Sequence, residues 1–288
     1  MRGAGLGVTF GKEILKETGV PVGLVMCAHG GTCMQQWDPD GLSQGGQSLY
    51  GSMIRRVQAV GGKVKGLLWY QGESDANPDH APFYSERMER FVSALRRDLH
   101  DPKLPFVYSQ LANFHSWNKV HECWWTRIRQ EQLLLEERLS PSAMVATADS
   151  TLSDPIHLDA VSLQGVGRRF GRQALRLAYG FDVPAGPRLQ SCRWNSDRTE
   201  LTINCTGMTG KWMPVKRAFG FQLVVDDQDE WLPIDSRLSE DRTGIILQFA
   251  EPAPENASLS YGAGFYPAVN LKDEAGQPLP LFGPMPLP

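Results

Sequence analysis

The chain has 288 residues, of which 41% are hydrophobic and 21% charged, a composition that excludes wholesale disorder and predicts a sizeable core. Its 29 basic and 32 acidic residues give a formal net charge of −3, which indicates neither a nucleic-acid nor an anionic-membrane partner. No apolar run is long enough to span a membrane, and the N-terminal residues lack the apolar stretch of a signal peptide. The length predicts two domains or one large one.

Residues 1–180 alternate between helical and strand-like patterns, and the chain opens on a helix with no strand before it. The predicted helices cover 7–18, 47–60, 83–99, 124–139 and 160–179, and the predicted buried strands cover 22–28, 64–70, 104–112 and 143–149. Strands that are apolar on both faces and separated by helices predict an α/β domain with a parallel sheet covered on two sides. Ligands of such sheets bind beyond the carboxyl ends of the strands, so the loops that follow these strands hold the candidate site.

The pattern changes after Pro184, where apolar residues alternate over 219–225 and 245–249 between clusters of turn residues. Residues 187–288 are therefore predicted to form an antiparallel β domain. Cys192 and Cys205 flank a predicted hairpin turn at 196–200 and are expected to face each other across it, either as a disulfide or as two reduced core cysteines.

The other three cysteines show no CxxC pair. Cys27 and Cys123 lie among apolar residues and are predicted to be buried. Cys33 lies in a Gly-rich loop and is predicted to be more exposed.

Two of the loops after predicted strands carry groups suited to stabilising an oxyanion. Gly30 and Gly31 follow the first strand, and paired glycines let main-chain N–H groups approach a ligand, although such pairs are also common in turns. Gln71 and Glu73 follow the second strand, where an amide can donate to an oxyanion and a carboxylate can orient a histidine. Asp75 is expected to cap the next helix.

The loop after the last predicted strand carries an acid–base pair. Asp154 lies three residues before His157 with a proline between them, so its carboxylate can fix the imidazole, or the two simply form a loop hydrogen bond. A zinc site built from these two residues with His29 and Glu73 is the competing interpretation. No HExxH motif or close His pair supports it, and no nucleotide-binding glycine motif occurs, so neither a metal nor a cofactor is expected.

Six segments, taken together, resemble the sialate O-acetylesterase family, a branch of the SGNH hydrolases that removes acetyl esters from sugars. The segments are residues 21–37, 64–76, 104–114, 125–132, 154–175 and 259–282, and the WYQGESD and DPIHLD blocks are the most specific. The resemblance implies an SGNH (flavodoxin-like) three-layer fold followed by a C-terminal β-sandwich-like domain. It also implies an acetylated sugar or glycan as substrate, without a cofactor or metal.

The resemblance further implies an acyl-enzyme mechanism. His157 would serve as general base and then acid, and either Asp154 or Glu73 would orient it. The oxyanion hole would be lined by the main-chain N–H of Gly30 or Gly31 and by the side chain of Gln71.

The sugar side of the site is also implied by the resemblance. Trp37, Trp69 and Arg129 would contact the sugar, with core packing as the alternative for both tryptophans. The family suggests a secreted or periplasmic protein, and the sequence does not indicate an oligomeric state.

One departure from the family is large. The family's nucleophilic serine lies in a Gly-Gln-Ser-Asn motif after an earlier strand, and no such motif occurs in these residues. The chain is therefore interpreted as N-terminally truncated, with a gap or re-paired edge expected beside the strand over 22–28, because unpaired buried main-chain groups are costly. A non-catalytic carbohydrate-binding protein and an acetylxylan-type esterase are the alternatives.

Overall fold

A computed structural model describes residues 5–225 and 229–287 and divides the chain into two compact units. The first unit takes in the chain up to Leu111 together with Asn118–Val145 and Leu158–Val183. The second takes in Ala112–Trp117, Ala146–His157 and the chain from Pro184 onward. Two loops that follow strands of the first unit thus group with the C-terminal strands. The predicted domain extents of 1–180 and 187–288 stay predictions.

Five helices of the first unit form where the apolar periodicity predicted them. They are α1 (Gly7–Thr18), α2 (Leu49–Ala59), α3 (Tyr84–Asp98), α4 (Glu122–Arg138) and α5 (Ala160–Tyr179). Gly19 and Gly180 end α1 and α5 in the left-handed conformation, which a residue without Cβ adopts at little cost. None of these helices is long and apolar enough to cross a membrane.

Helix α1 packs against α5 at two glycines of α5. A Cβ atom at Gly167 would lie 2.6 Å from the main-chain oxygen of Leu6, and one at Gly171 would lie 2.7 Å from Cβ of Glu13. Because these glycines are four residues apart, they lie on the same face of α5. The close approach of the two helices therefore depends on the absence of side chains there.

The parallel sheet of the first unit has three strands, in the order β1 (Leu67–Trp69), β2 (Phe106–Ser109) and β3 (Ser142–Val145). These strands, the helices and the antiparallel sheets described below confirm the predicted fold class. The predicted strand over 22–28 was wrong: in the described part of the chain this segment pairs with no strand, and Leu24 and Met26 are exposed. Among the described residues, no strand forms main-chain hydrogen bonds with this apolar segment.

The second unit contains two four-stranded antiparallel sheets. Its strands are β4 (Arg188–Trp194), β5 (Glu200–Thr206), β6 (Phe221–Val225), β7 (Asp229–Trp231), β8 (Asp235–Leu238), β9 (Gly244–Gln248), β10 (Ser258–Tyr261) and β11 (Phe282–Pro286). One sheet has the order β11-β10-β6-β7 and the other β4-β5-β9-β8. The predicted alternation is confirmed for β6 and β9, whose alternate residues are buried, whereas Phe219 lies exposed before β6.

The pairing of β4 with β5 corrects the expected cysteine contact. Cys192 lies opposite Ile203, because the hairpin pairs Trp194 with Leu201 rather than with Ile203. Cys205 lies opposite Leu189, beyond a register shift between Leu189 and Ser191. Both thiols are free, and burial raises the pKa of Cys192 to about 11 and that of Cys205 to about 12.

Two further cysteine predictions were wrong. Cys123 is exposed near the start of α4, whereas Cys33 is buried. Cys33 precedes a short helical turn, Met34–Trp37, whose apolar residues Met34 and Trp37 are buried, and this explains why the Gly-rich loop does not leave Cys33 in solvent.

Candidate active site

The loop that carries Asp154 and His157 is closed by its own hydrogen bonds. The main-chain nitrogen of Ser153 donates to the main-chain oxygen of His157 at 2.8 Å. Oδ1 of Asp154 accepts from the main-chain nitrogens of Ile156 at 2.9 Å and of His157 at 2.8 Å. This is the local turn that an Asp side chain forms with the residues just after it.

The second oxygen of the same carboxylate contacts the imidazole. Oδ2 of Asp154 lies 2.8 Å from Nδ1 of His157. The two main-chain bonds and this side-chain bond lower the pKa of Asp154 to about 2, so the carboxylate is ionised at neutral pH. An ionised acceptor at Nδ1 favours the tautomer with its proton there and leaves Nε2 to accept a proton. The His157 side chain is 77% exposed, so a reacting group can reach Nε2.

The Gly-rich loop lies in the first unit and offers free main-chain donors. The hydroxyl of Thr32 donates to the main-chain oxygen of His29 at 2.9 Å, and Gly31 has φ +70°. Gly30 and Gly31 are exposed, and their N–H groups donate to no residue that the structure describes. Two such groups in one turn are the kind of donor that an oxyanion hole uses.

Gln71, in the loop after β1, is committed to holding the Gly-rich loop in place. Its Nε2 donates to the main-chain oxygen of Thr32 at 2.9 Å and also to Oδ2 of Asp75. Because an amide nitrogen has two hydrogens, neither is left for an oxyanion in this conformation. Its Oε1 is buried without a partner among the described residues. Glu73 is half-buried in the helical turn Glu73–Asp75, and its role stays a prediction.

Asp75 is a buried residue whose importance the sequence did not reveal. Its two oxygens lie 3.1 and 3.0 Å from the main-chain nitrogen of Met34, and it accepts the bond from Gln71 described above. It therefore caps the turn Met34–Trp37 rather than the helix that follows it. Burial raises the pKa of this carboxyl, and the bonds from Gln71 and Met34 oppose that shift. No local pattern signals a contact between residues 41 positions apart.

Three possible metal-ligand atoms, one of them an oxygen of Asp75, lie close enough together to hold a metal ion. They belong to Cys33, Asp75 and His80 and lie within 4.8 Å of one another. Nη1 of Arg87 lies 3.2 Å from Nδ1 of His80, so a cation would meet a like charge there. It would also compete with the hydrogen bonds that Asp75 already accepts. We therefore assign no metal to this group.

The three residues predicted to contact the sugar are buried in the core of the first unit. The exposed fractions are 3% for Trp37, 8% for Trp69 and 1% for Arg129. The indole rings of the two tryptophans meet edge to face with centroids 5.0 Å apart, and Nε1 of Trp37 donates to Oγ1 of Thr32 at 3.0 Å. These positions match core packing, the alternative for the tryptophans, and do not support a sugar contact.

Arg129 is buried for a different reason. Its Nε donates to the main-chain oxygen of Leu111 at 3.0 Å, beyond the end of β2. Burial lowers the pKa of its guanidinium to about 9. Its role is to hold the loop after β2, since its side chain presents almost no surface to solvent.

Residues 1–176 match the family model of carbohydrate esterases described as sialic acid-specific acetylesterases. The chain belongs to this carbohydrate esterase family. This chain is 36% identical to a probable carbohydrate esterase of Arabidopsis thaliana over 128 residues, which are 42% of this chain and 47% of the relative. The match thus spans about half the length of that curated relative.

Two solved structures are similar to this chain. One is a carbohydrate acetylesterase from Xanthomonas citri, with a TM-score of 0.80 and 26% identity over 96% of this chain and 64% of that one. The other is the Arabidopsis thaliana protein, with a TM-score of 0.52 and 30% identity over 61% of this chain and 70% of that one. The first likeness agrees with the SGNH-type fold class that the sequence predicted.

Proposed function

We propose that this esterase hydrolyses acetyl esters on sugars, in the manner of sialate O-acetylesterases, with His157 as its acid–base residue. The observation that carries the proposal is the 2.8 Å contact between Nδ1 of His157 and Oδ2 of Asp154, which leaves Nε2 accessible. Membership of a carbohydrate esterase family supplies the reaction class. We assign the orienting role to Asp154 rather than to Glu73, because Asp154 makes this contact.

The proposed reaction follows the two steps of an acyl-enzyme hydrolase. Nε2 of His157 takes the proton of a serine hydroxyl as that oxygen attacks the acetyl carbonyl, and main-chain N–H groups stabilise the oxyanion. His157 then gives the proton to the departing sugar oxygen. In the second step His157 deprotonates water, which attacks the acetyl-enzyme; the bond between the acyl carbon and the serine oxygen breaks, His157 returns the proton to that oxygen, and acetate is released. We assign the serine to no residue of this chain, because no Gly-Gln-Ser-Asn motif occurs in it.

The test is acetate release from 4-nitrophenyl acetate by the chain and its His157→Ala variant. A longer protein that joins these residues to a Gly-Gln-Ser-Asn segment is the positive reference. In the longer protein we expect His157→Ala to lower kcat at least 100-fold, because general acid–base catalysis contributes about 10²–10⁴-fold. His121→Ala, at an exposed histidine, is the control and keeps full activity. Activity that survives in His157→Ala rules out the proposed mechanism.

A non-catalytic carbohydrate-binding protein is the second candidate. One observation favours it: both amide hydrogens of Gln71 are already bonded. Binding of an acetylated sugar without acetate release, even from the longer protein, would select this candidate. Comparison of an acetylated xylo-oligosaccharide with an acetylated sialic acid as substrate separates the sialate-type from the acetylxylan-type esterase.

A further inference from the structure

Three aromatic side chains of the second unit form an exposed cluster, His115, Trp117 and Tyr266, which we call the aromatic platform. The centroid of the His115 ring lies 5.7 Å from that of Trp117 and 6.4 Å from that of Tyr266, with near-perpendicular planes in both pairs. Trp117 is 94% exposed and Tyr266 is 51% exposed. Large aromatic side chains usually bury most of their surface, so three of them gathered in solvent indicate a binding surface.

The platform is held by an aromatic pair, Phe114 and Phe265, that lies directly beside it in sequence. The main-chain nitrogen of Phe114 donates to the main-chain oxygen of Phe265 at 2.9 Å. The rings of these two residues meet edge to face with centroids 5.0 Å apart, and Phe265 is buried. This pair fixes the two chain segments side by side, so the neighbouring residues His115 and Tyr266 are brought together in a defined position.

The platform is also tied to the loop that carries the acid–base pair. The main-chain nitrogen of His115 donates to the main-chain oxygen of Pro155 at 2.7 Å. Pro155 stands between Asp154 and His157 in sequence. Since consecutive Cα atoms are about 3.8 Å apart, the Cα atoms of Pro155 and His157 are separated by at most about 7.6 Å. The platform therefore begins at a residue bonded directly to the loop that carries the imidazole.

We propose that His115, Trp117 and Tyr266 form the surface on which the carbohydrate part of the ester packs beside His157. The inference rests on the proposed function and supplies the sugar contacts that the buried Trp37 and Trp69 do not make. A pyranose ring has an apolar C–H face that packs on an indole or phenol ring, whose negative face attracts the C–H hydrogens. Tyrosine and tryptophan provide this rigid area while losing little side-chain entropy. The phenol hydroxyl and the imidazole can bond sugar hydroxyls at the edge.

Calorimetric titration in the His157→Ala background, which prevents turnover, tests the inference. The probes are an O-acetylated xylo-oligosaccharide and 9-O-acetyl-N-acetylneuraminic acid. We expect at least one probe to bind, and Trp117→Ala to weaken its binding about tenfold or more, because tryptophan anchors carry much of the affinity of an interface. Trp117→Phe, which keeps a ring, should restore most of the affinity. Phe219→Ala, at an exposed aromatic residue of the same unit outside the platform, is the matched control and should bind as the parent does.

A second measurement separates failure of this inference from failure of the proposed function. Hydrolysis of ethyl acetate, a substrate without a ring, by the longer protein reports on the acid–base chemistry alone, and it should be lost in His157→Ala and unchanged by Phe219→Ala. The platform is ruled out if the parent and Trp117→Ala bind the sugar equally well, or if neither probe binds. This conclusion does not depend on whether the protein releases acetate. Trp117-dependent binding without any acetate release supports the platform and rejects the esterase. A change in oligomeric state without a change in sugar affinity identifies the cluster as a protein contact and overturns the inference.

Discussion

Both carboxylate oxygens of Asp75 lie within hydrogen-bond distance of the main-chain nitrogen of Met34, at 3.1 and 3.0 Å. With the bond from Gln71, this contact joins the loop after β1 to the Gly-rich loop. The proposed oxyanion donors Gly30 and Gly31 stand at the start of that second loop. Asp75 thus holds in place the loop that carries these proposed donors.

Replacing Asp75 should lower the stability of the first unit. Asp75→Ala leaves the N–H of Met34 and one N–H of Gln71 buried without an acceptor, and each such group costs about 1–3 kcal/mol. We expect the free energy of unfolding in urea to fall by about 3 kcal/mol. Asp79→Ala, at an exposed carboxylate in the same loop, is the control and should change little. Equal effects of the two substitutions would contradict the capping role.

The depressed pKa of Asp154 predicts how the acid–base loop responds to acid. A carboxyl group whose pKa is lower in the folded than in the unfolded protein stabilises the folded state at every pH above the unfolded pKa. This stabilisation is lost as the pH falls through the pKa of the folded state. The loop should therefore keep its hydrogen bonds from neutral pH down to about pH 3. Carboxyl ¹³C NMR titration should give a pKa near the value of about 2 set by the bonds to Asp154.

The same titration distinguishes the partners of Asp154. His157→Ala removes only the side-chain bond, and the main-chain bonds from residues 156 and 157 are the larger causes of the shift. The pKa of Asp154 should thus rise in this variant and remain below its ordinary value. A pKa that returns fully to that ordinary value would show that the main-chain bonds do not form.

Two tryptophans of the chain should respond to substitution in opposite ways. Trp37→Ala removes a buried ring that contacts Trp69, and loss of a buried Trp side chain costs about 3–5 kcal/mol. Trp117→Ala removes an exposed ring and should change the free energy of unfolding by less than about 0.5 kcal/mol. Urea denaturation of both variants measures the difference, and similar losses would place Trp117 in a packed environment.

The cysteines should differ in their reaction with a thiol reagent. At pH 8, Cys123 should react at once because it is exposed, while Cys192 and Cys205, with pKa values of about 11 and 12, hold little thiolate. Ellman's reagent followed over time measures the two phases, and Cys123→Ser removes the fast one. Five thiols should be counted after unfolding without a reductant. A count of three would indicate a disulfide.

The sequence predicts the parts of the fold that depend on local patterns. Apolar periodicity gives the five helices, and the Asp154–His157 pair is found because three residues of chain bring the two side chains together. The prediction of a strand over 22–28 was wrong, because an apolar run indicates that a segment prefers to be buried but does not show whether a partner strand is present. The family resemblance implied a sugar contact for Trp37, and tertiary packing, which the sequence does not show, buries this residue in the core.

Contacts between distant segments could not be predicted from the sequence. The capping of the turn at Met34 by Asp75 joins loops 41 positions apart. The aromatic platform requires the loop after β2 to lie beside the segment before β11, which no spacing indicates. Both are set by how the sheets and loops pack.

The segment over 22–28 has one more consequence. Within the described ranges, none of its main-chain N–H groups donates a hydrogen bond, and much of its surface faces solvent. Amide hydrogens without an acceptor exchange with deuterated water almost as fast as in an unstructured peptide. Mass spectrometry after seconds of labelling should therefore show full deuteration here, while α1 on one side and the turn after Cys33 on the other remain protected. The stretch that looks most like core sequence would be the first to take up the isotope.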